Sequence, residues 1–293
     1  LAFEGFFGMQ TQYVELDQRL LSPKLWRGFA PPVGGVFPDQ ASGNEVRGLF
    51  DDFENFGAVS PLATATTYFQ SNGNSYLAYN DATVVPTAAA VPSATPSVSE
   101  NGPGVIVMQS DTTANDIAIL QAGSGTMTPF HVNPARMQEL AFECRFKVSA
   151  ITASCSDIFI GLAGTGACAD SGVFTDAGAL ASNNFLGFTR IGTQGSAMSL
   201  SYNRVSGTPG TRASVLTLAA DTYIKAGFRY HAARKQCSIW MNGEEVATAR
   251  INSAITGATP WPNLYMNFCA AINFEATAAH QLYIDWWACA QLL

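Results

Sequence analysis

From Val105 onward the chain is cut into short apolar runs separated by turn residues, and no stretch sustains a 3.6-residue hydrophobic period. Runs at 105–108, 117–121, 140–148, 157–162, 185–191, 197–205, 223–231, 236–241, 245–250, 264–274 and 281–290 all suit strands. In the run 140–148, Leu140, Phe142, Cys144, Phe146 and Val148 share one face, while Glu143, Arg145 and Lys147 share the other. That alternation is the period of a strand with one face buried. Asn242-Gly243 lies between two such runs, and both residues tolerate the positive φ a tight hairpin requires. Many short strands with no long helical pattern restrict the chain to an all-β sandwich. No repeat at a fixed period is visible, which removes propellers and solenoids.

The 293 residues are enough to bury a full core without disulfide or metal staples. Lys and Arg number 15 against 22 Asp and Glu, a formal charge of −7. Charged residues make up 13% of the chain, about half the usual share of about 25%. Affinity for a phosphate backbone scales with the cations set against it, so nucleic acid is not expected as a partner. No apolar run approaches the roughly 18–20 residues of a membrane-spanning helix; 82–90, for example, is interrupted by Pro86. The opening residues 1–8 carry no positive charge ahead of their apolar side chains and do not read as a secretory signal. Cys144, Cys155, Cys168, Cys237, Cys269 and Cys289 form no Cys-x-x-Cys pair, and His131, His231 and His280 are scattered, so neither a zinc site nor any other cofactor is expected. Free buried thiols are the expectation; Cys155 and Cys168, flanking one apolar strand, are the single pair placed to approach each other.

Two regions differ in texture. Residues 1–44 read as an N-terminal arm, with Phe3, Phe6, Phe7, Trp26 and Phe29 set among glycines and the 31–35 Pro/Gly break, and a short helix expected only near 12–21. Residues 45–293 read as one sandwich domain with a Ser/Thr/Ala/Pro-rich loop insertion near 60–104, in which short strands fit 67–69 and 75–79. The first strand is expected around Leu49–Phe56.

The closing cadence carries a resemblance. Ala226-Gly227-Phe228-Arg229-Tyr230, then Gln236 to Val246 with its Asn242-Gly243 turn, then Leu282-Tyr283-Ile284-Asp285-Trp286-Trp287, together with the early Phe50-Asp51-Asp52-Phe53, resemble the concanavalin A-like lectin/glucanase jelly roll, also seen in laminin-G-like modules. The resemblance covers about residues 45–293 and implies a two-sheet antiparallel jelly-roll sandwich, here with an extended N-terminal arm, in which the first strand, 50–56, lies beside the last at 281–290; it implies a fold more than a job. A narrower likeness is to tailed-phage proteins that decorate or cement a capsid. It implies a non-enzymatic virion protein, made in the host cytoplasm, that binds the major capsid protein or another virion protein through its arm and a sandwich rim, with a homotrimer as the favoured assembly. The alternative is a carbohydrate-binding jelly roll on a tail fibre or spike.

Candidate chemistry is thin. Laminarinase-type glycosidases of this fold gather carboxylates through a Glu-x-Asp-x-x-Glu strand, the outer two about 5–5.5 Å apart when retaining. Here Glu15-Leu16-Asp17-Gln18-Arg19-Leu20 ends on Leu20, and Asp51-Asp52-Phe53-Glu54 has the wrong spacing, so no enzyme is expected. No nucleophile-elbow sequence occurs, and the glycine clusters at 123–126 and 161–166 are followed by neither Lys nor a helix and read as turns. Asp170, Asp176, Asn183 and Asn184 could supply some calcium oxygens but are also ordinary turn residues, and no metal site is assigned to them. Trp261, between Pro260 and Pro262, is either an exposed platform for a glycan or a plug at the sandwich rim. Trp286 and Trp287 point to opposite faces, one to the core and one outward. Phe3, Phe6, Phe7 and Trp26 are the expected partner-binding residues, because a patch of large apolar groups marks an interaction surface. They bury either along their own domain or against a neighbouring chain, and the stronger expectation is that residues 1 to about 30 bury against another chain.

Overall fold

The apolar half of each alternating run has one place to go, the space between two sheets, and the strands form accordingly. A computed structural model of the chain describes residues 21–27, 29, 46–53, 57–61, 66–71, 74–80, 104–109, 117–123, 128–135, 138–152, 156–175, 178–251, 260–273 and 280–292. In chain order the first eight strands are β1 (Val46–Asp51), β2 (Gly57–Pro61), β3 (Thr66–Ser71), β4 (Asn74–Asn80), β5 (Ile106–Gln109), β6 (Ile117–Ala122), β7 (Leu140–Val148) and β8 (Asp157–Gly164). The rest are β9 (Phe185–Arg190), β10 (Ala197–Asn203), β11 (Gly210–Thr217), β12 (Ile224–His231), β13 (Gln236–Met241), β14 (Glu244–Glu245), β15 (Met266–Asn273) and β16 (Gln281–Leu292). Among the described residues helical structure is confined to 3₁₀ turns such as Ala232–Arg234, and no helix is long and apolar enough to cross a membrane.

Every strand pairing among the described residues is antiparallel. One sheet runs β1-β16-β7-β12-β13-β14, with β5 also paired to β16; the other runs β11-β10-β9-β8-β15-β6-β4-β3-β2. The core between them takes Phe142, Phe146, Phe228 and Ile239 from the first sheet and Ile160, Phe188, Leu200 and Phe268 from the second. Phe142 stacks on Phe228 with ring centres 4.9 Å apart. β8 and β15 are buried along their whole length, because the β8–β9 connection lays Ala167, Cys168, Val173 and Phe174 over Phe159, Phe185, Cys269 and Ala271 on the outer side.

The two ends of the sandwich meet as the resemblance implies: Phe50 pairs with Ala288 and Asp51 with Trp287. The strand is shifted from the expected 49–56, however, starting at Val46 and stopping at Asp51, beyond which Phe53 has a positive φ of 56°; residues 54–56 lie outside the described residues. The short strands expected at 67–69 and 75–79 form within segment 60–104 as β3 and β4, which join the second sheet, β4 pairing with β6. Alternation outranked composition there, with Tyr76 and Ala78 both turned into the core. Of the expected strand at 245–250 only Glu245 is in a strand, the second residue of β14; the chain then turns through Ala247–Ala249 so that Ala249 is buried. β11 went unforeseen because its first five residues stay partly or fully exposed and carry no apolar alternation.

Asp51 ties the sheets together. From β1 its buried carboxylate accepts hydrogen bonds from Ser71 Oγ (2.7 Å), Asn74 Nδ2 (3.1 Å) and Tyr76 OH (2.6 Å) in the opposite sheet, and from Phe53 N (2.8 Å). Burial raises the Asp51 pKa against the lowering effect of these donors. Cys144, Cys168, Cys237, Cys269 and Cys289 are free and buried. Cys155, and with it the expected approach to Cys168, lies outside the described residues.

Candidate functional site

The outer face of the first sheet is shaped by residues of opposite phase to the core. Small side chains there, Ala141 on β7, Gly227 on β12, and Ala288 and Ala290 on β16, leave a shallow trough beside Trp240. Residues 21–29 fill it. Trp26 N donates to Ser22 O (3.1 Å), a turn that places Ser22, Leu25, Trp26 and Phe29 against the sheet while Lys24 and Arg27 face outward. Glu143 fastens the segment: its carboxylate accepts from Ser22 N (2.9 Å), Ser22 Oγ and Trp26 Nε1 (2.8 Å). Burial pushes the Glu143 pKa up, against these donors.

The fit at Gly227 is close. A Cβ there would stand 2.6 Å from Leu25 Cδ2 and 2.7 Å from Phe142 O. Gly227→Ala is therefore expected to lower stability by about 1–3 kcal/mol, read as a shifted urea midpoint, with hydrogen exchange rising first in residues 21–29. Unchanged exchange in that segment would contradict the packing.

Trp26 is thus 6% exposed and packed on its own sandwich, which corrects its assignment as a residue for a partner chain. The physical reason is the small-residue trough together with the Glu143 acceptor. Phe3, Phe6 and Phe7 lie outside the described residues, as do Glu15, Asp17, Leu20 and Glu54. Trp261 is not a surface platform. It is 2% exposed, its Nε1 donates to Val132 O (2.8 Å), and its ring lies against Tyr202 and Tyr230, so it is the plug and not the glycan contact. Around the 170–184 loop, Asn183 Nδ2 donates to Gly172 O (2.6 Å), Asn184 is buried with neither amide atom bonded, Asp170 is exposed, and Asp176 lies outside the described residues. Among the described residues no three His, Cys, Asp or Glu side chains are placed to hold a metal ion.

What the outer face does assemble is a cleft of about 180 Å³ at the β12–β13 hairpin, lined by Lys24, Arg27, Arg229, His231, Arg234 and Arg250 with Gln236, Ser238, Trp240 and Glu245. Strand register creates it: Arg229 sits opposite Ser238 and His231 opposite Gln236, so the outward face is polar toward the hairpin tip, beyond the Gly227–Trp240 pair. The 3₁₀ turn at the hairpin tip adds Arg234, and the docked segment adds Lys24 and Arg27 as a second wall.

The cleft is internally braced. Arg229 donates to Leu25 O (3.1 Å), Arg27 O (2.6 Å) and Glu139 Oε2 (2.6 Å), and its guanidinium lies 5.2 Å from the Phe29 ring centre. Trp240 Nε1 donates to Ser238 Oγ (3.0 Å), which lies 3.3 Å from His231 Nε2. The His231 ring, with Nδ1 3.8 Å from Oε1, and the Arg229 guanidinium hold the Glu139 carboxyl down to about 2. A lowered carboxyl stabilises the fold above its unfolded range, so the Glu139 contribution is complete above about pH 5 and fades as the pH falls toward 2.

Sequence reading missed this site, though half of it carried a signal. Arg229, His231, Arg234 and Lys235 fall within seven residues of a chain poor in cations. Lys24 and Arg27 carried none, being some two hundred residues away.

No protein-family model matches the chain, and no curated protein matches it in sequence. Solved structures do match in shape. The chain is similar to peanut lectin in complex with a nine-residue peptide, at 13% identity and a TM-score of 0.50, over 85% of this chain and 99% of that one. It is similar to the same degree to an endo-1,3-beta-glucanase from Streptomyces sioyaensis, at 14% identity and a TM-score of 0.50, over 87% and 99%. The fold is the concanavalin A-like jelly roll. Because lectins and a glucanase share it, the fold alone does not separate binding from catalysis.

Proposed function

We propose that the protein is a non-catalytic, carbohydrate-binding jelly roll whose sugar site is the cleft on the outer face of the β12–β13 hairpin. The observation that carries this is the makeup of the cleft: the partly exposed side chains of His231 and Gln236 over the edge of the mostly buried Trp240 and Ser238, on a paired hairpin. Sugars are held by that combination, apolar ring faces meeting an aromatic surface while hydroxyls meet side-chain donors and acceptors. The likeness in fold to peanut lectin agrees with it. Hydrolysis has less support, since Asp51 is committed to four structural hydrogen bonds and the Glu-x-Asp-x-x-Glu pattern is missing from the sequence. The capsid-decorating role expected from the aromatic arm now rests on Phe3, Phe6 and Phe7, because Trp26 is taken up by its own sheet.

Gln236→Trp places a large ring in the cleft from a partly exposed position. Glycan-array signal and calorimetric titration should show binding by the natural chain and loss of at least tenfold in affinity in this variant, at an unchanged melting temperature. A chain that binds no glycan on a broad array, or one whose binding ignores the plug, would overturn the proposal.

A further inference from the structure

We infer that the cleft selects an acidic glycan, with Arg27 and Arg234 reading a carboxylate or sulfate group on the sugar. This rests on the cleft being a sugar site and adds the class of sugar it takes.

The charge distribution carries the inference. The whole chain is acidic at −7, yet five of its fifteen Lys and Arg residues line this one cleft, against a single carboxylate, Glu245. Three of the five are already matched: Lys24 with Glu244 (2.7 Å), Arg229 with Glu139 (2.6 Å) and Arg250 with Glu245. Arg27 and Arg234 are exposed and, among the described residues, have no carboxylate partner. The two unmatched arginines leave a net positive field over the cleft that acts on whatever enters. A neutral sugar would gain nothing from that field. An anionic one would gain charge-assisted hydrogen bonds, and the planar fork of arginine suits the paired oxygens of such a group.

Size narrows the ligand. About 180 Å³ falls below the usual range of roughly 300–1,000 Å³ for drug-sized pockets. It fits one sugar ring with its substituent, and it is a closed patch where a nucleic-acid backbone would need a track of cations.

The test is calorimetric titration of the full chain with inorganic sulfate and with four oligomers of similar length: an oligogalacturonate, a sulfated glycosaminoglycan oligosaccharide, a neutral cello-oligosaccharide and single-stranded oligothymidylate. Binding of the galacturonate or the sulfated probe at least about tenfold tighter than the neutral one is expected, weakening as salt rises from about 50 to about 200 mM. Which acidic probe binds identifies the charged group. Arg27→Ala/Arg234→Ala should erase the acidic preference and leave the melting temperature unchanged, since neither side chain braces the fold. Neutral and acidic probes bound equally, or a preference that survives the double substitution, would overturn the charge assignment while the sugar site stands. Oligothymidylate bound as tightly as the acidic sugars would overturn selectivity for glycans. Inorganic sulfate binding with no oligosaccharide bound at all would instead sink the sugar site and keep the anion site.

Discussion

Trp287→Ala is expected to lower the stability of the sandwich by about 3–5 kcal/mol, the usual range for emptying a buried aromatic position. The ring is fully buried and lies flat on Phe268, centres 4.6 Å apart and planes inclined by 8°. Its loss would open a cavity between the sheets at the point where β16 faces β15. It would also disconnect a polar relay. Trp287 Nε1 donates to Tyr76 OH (2.8 Å), which donates onward to Asp51, and Asp51 holds β1 to β3 and β4 across the interior. Trp287→Phe keeps most of the stack and removes only the indole donor, so a loss nearer 1 kcal/mol is expected. Urea unfolding of the two variants separates packing from hydrogen bonding. If alanine at 287 cost no more than phenylalanine, the stack would not be a support of the core.

Glu143→Ala is expected to release residues 21–29 from the sheet and to dismantle the cleft without direct contact with its ligand. Three donors converge on that carboxylate, the Ser22 amide, the Ser22 hydroxyl and the Trp26 indole. Each would be left unsatisfied under the docked segment, at about 1–3 kcal/mol apiece, which is comparable to the gain of about 1.5–3 kcal/mol from burying each of Leu25, Trp26 and Phe29. Undocking removes Lys24 and Arg27 from the cleft and frees Arg229 from the Leu25 and Arg27 carbonyls. Ligand affinity should therefore fall by tenfold or more, with faster hydrogen exchange in 21–29 and strand amides in β7 and β12 largely protected. Docking should also respond to pH. Burial raises the Glu143 pKa, so the docked form holds the proton more tightly than the undocked form. Docking is then strongest below the ordinary carboxylate range and weakens as the pH rises through the raised value. A Trp26 fluorescence signal that is flat in pH, or a Glu143→Ala chain with intact affinity, would mean that the segment is held by its apolar contacts alone.

The pH responses of the two carboxylates have opposite sign, and the difference is one of partners. Glu139, half-buried beside Arg229 and His231, is stabilised in its charged form, and its contribution is lost in acid. Glu143 is hydrogen-bonded by neutral donors, and desolvation outweighs both them and the more distant charge of Lys225. Both lie at the β7 end of one short stretch of sequence, where nothing distinguishes their environments.

Alternation along single strands was enough to determine the fold class, because a period of two leaves a strand only one face to bury. Leu140–Val148 was readable on that ground, Asn242-Gly243 on turn chemistry, its φ values of 49° and 85° being what the hairpin needs, and the pairing of the first strand with the last only through the family resemblance. Alternation could not choose between Trp286 and Trp287. Leu282 and Ile284 face the core, so a regular strand would send Trp286 inward; a bulge between Ile284 and Trp286 shifts the phase, and Trp287 and Cys289 go in instead. Trp286 turns outward toward Phe50. The cleft lay further out of reach. The hairpin's share of its cations could be counted in the sequence, but a pair of arginines from distant segments becomes a site only when a trough of alanines and one glycine accepts Trp26. That trough is made of residues on three strands, and only the tertiary structure brings them side by side.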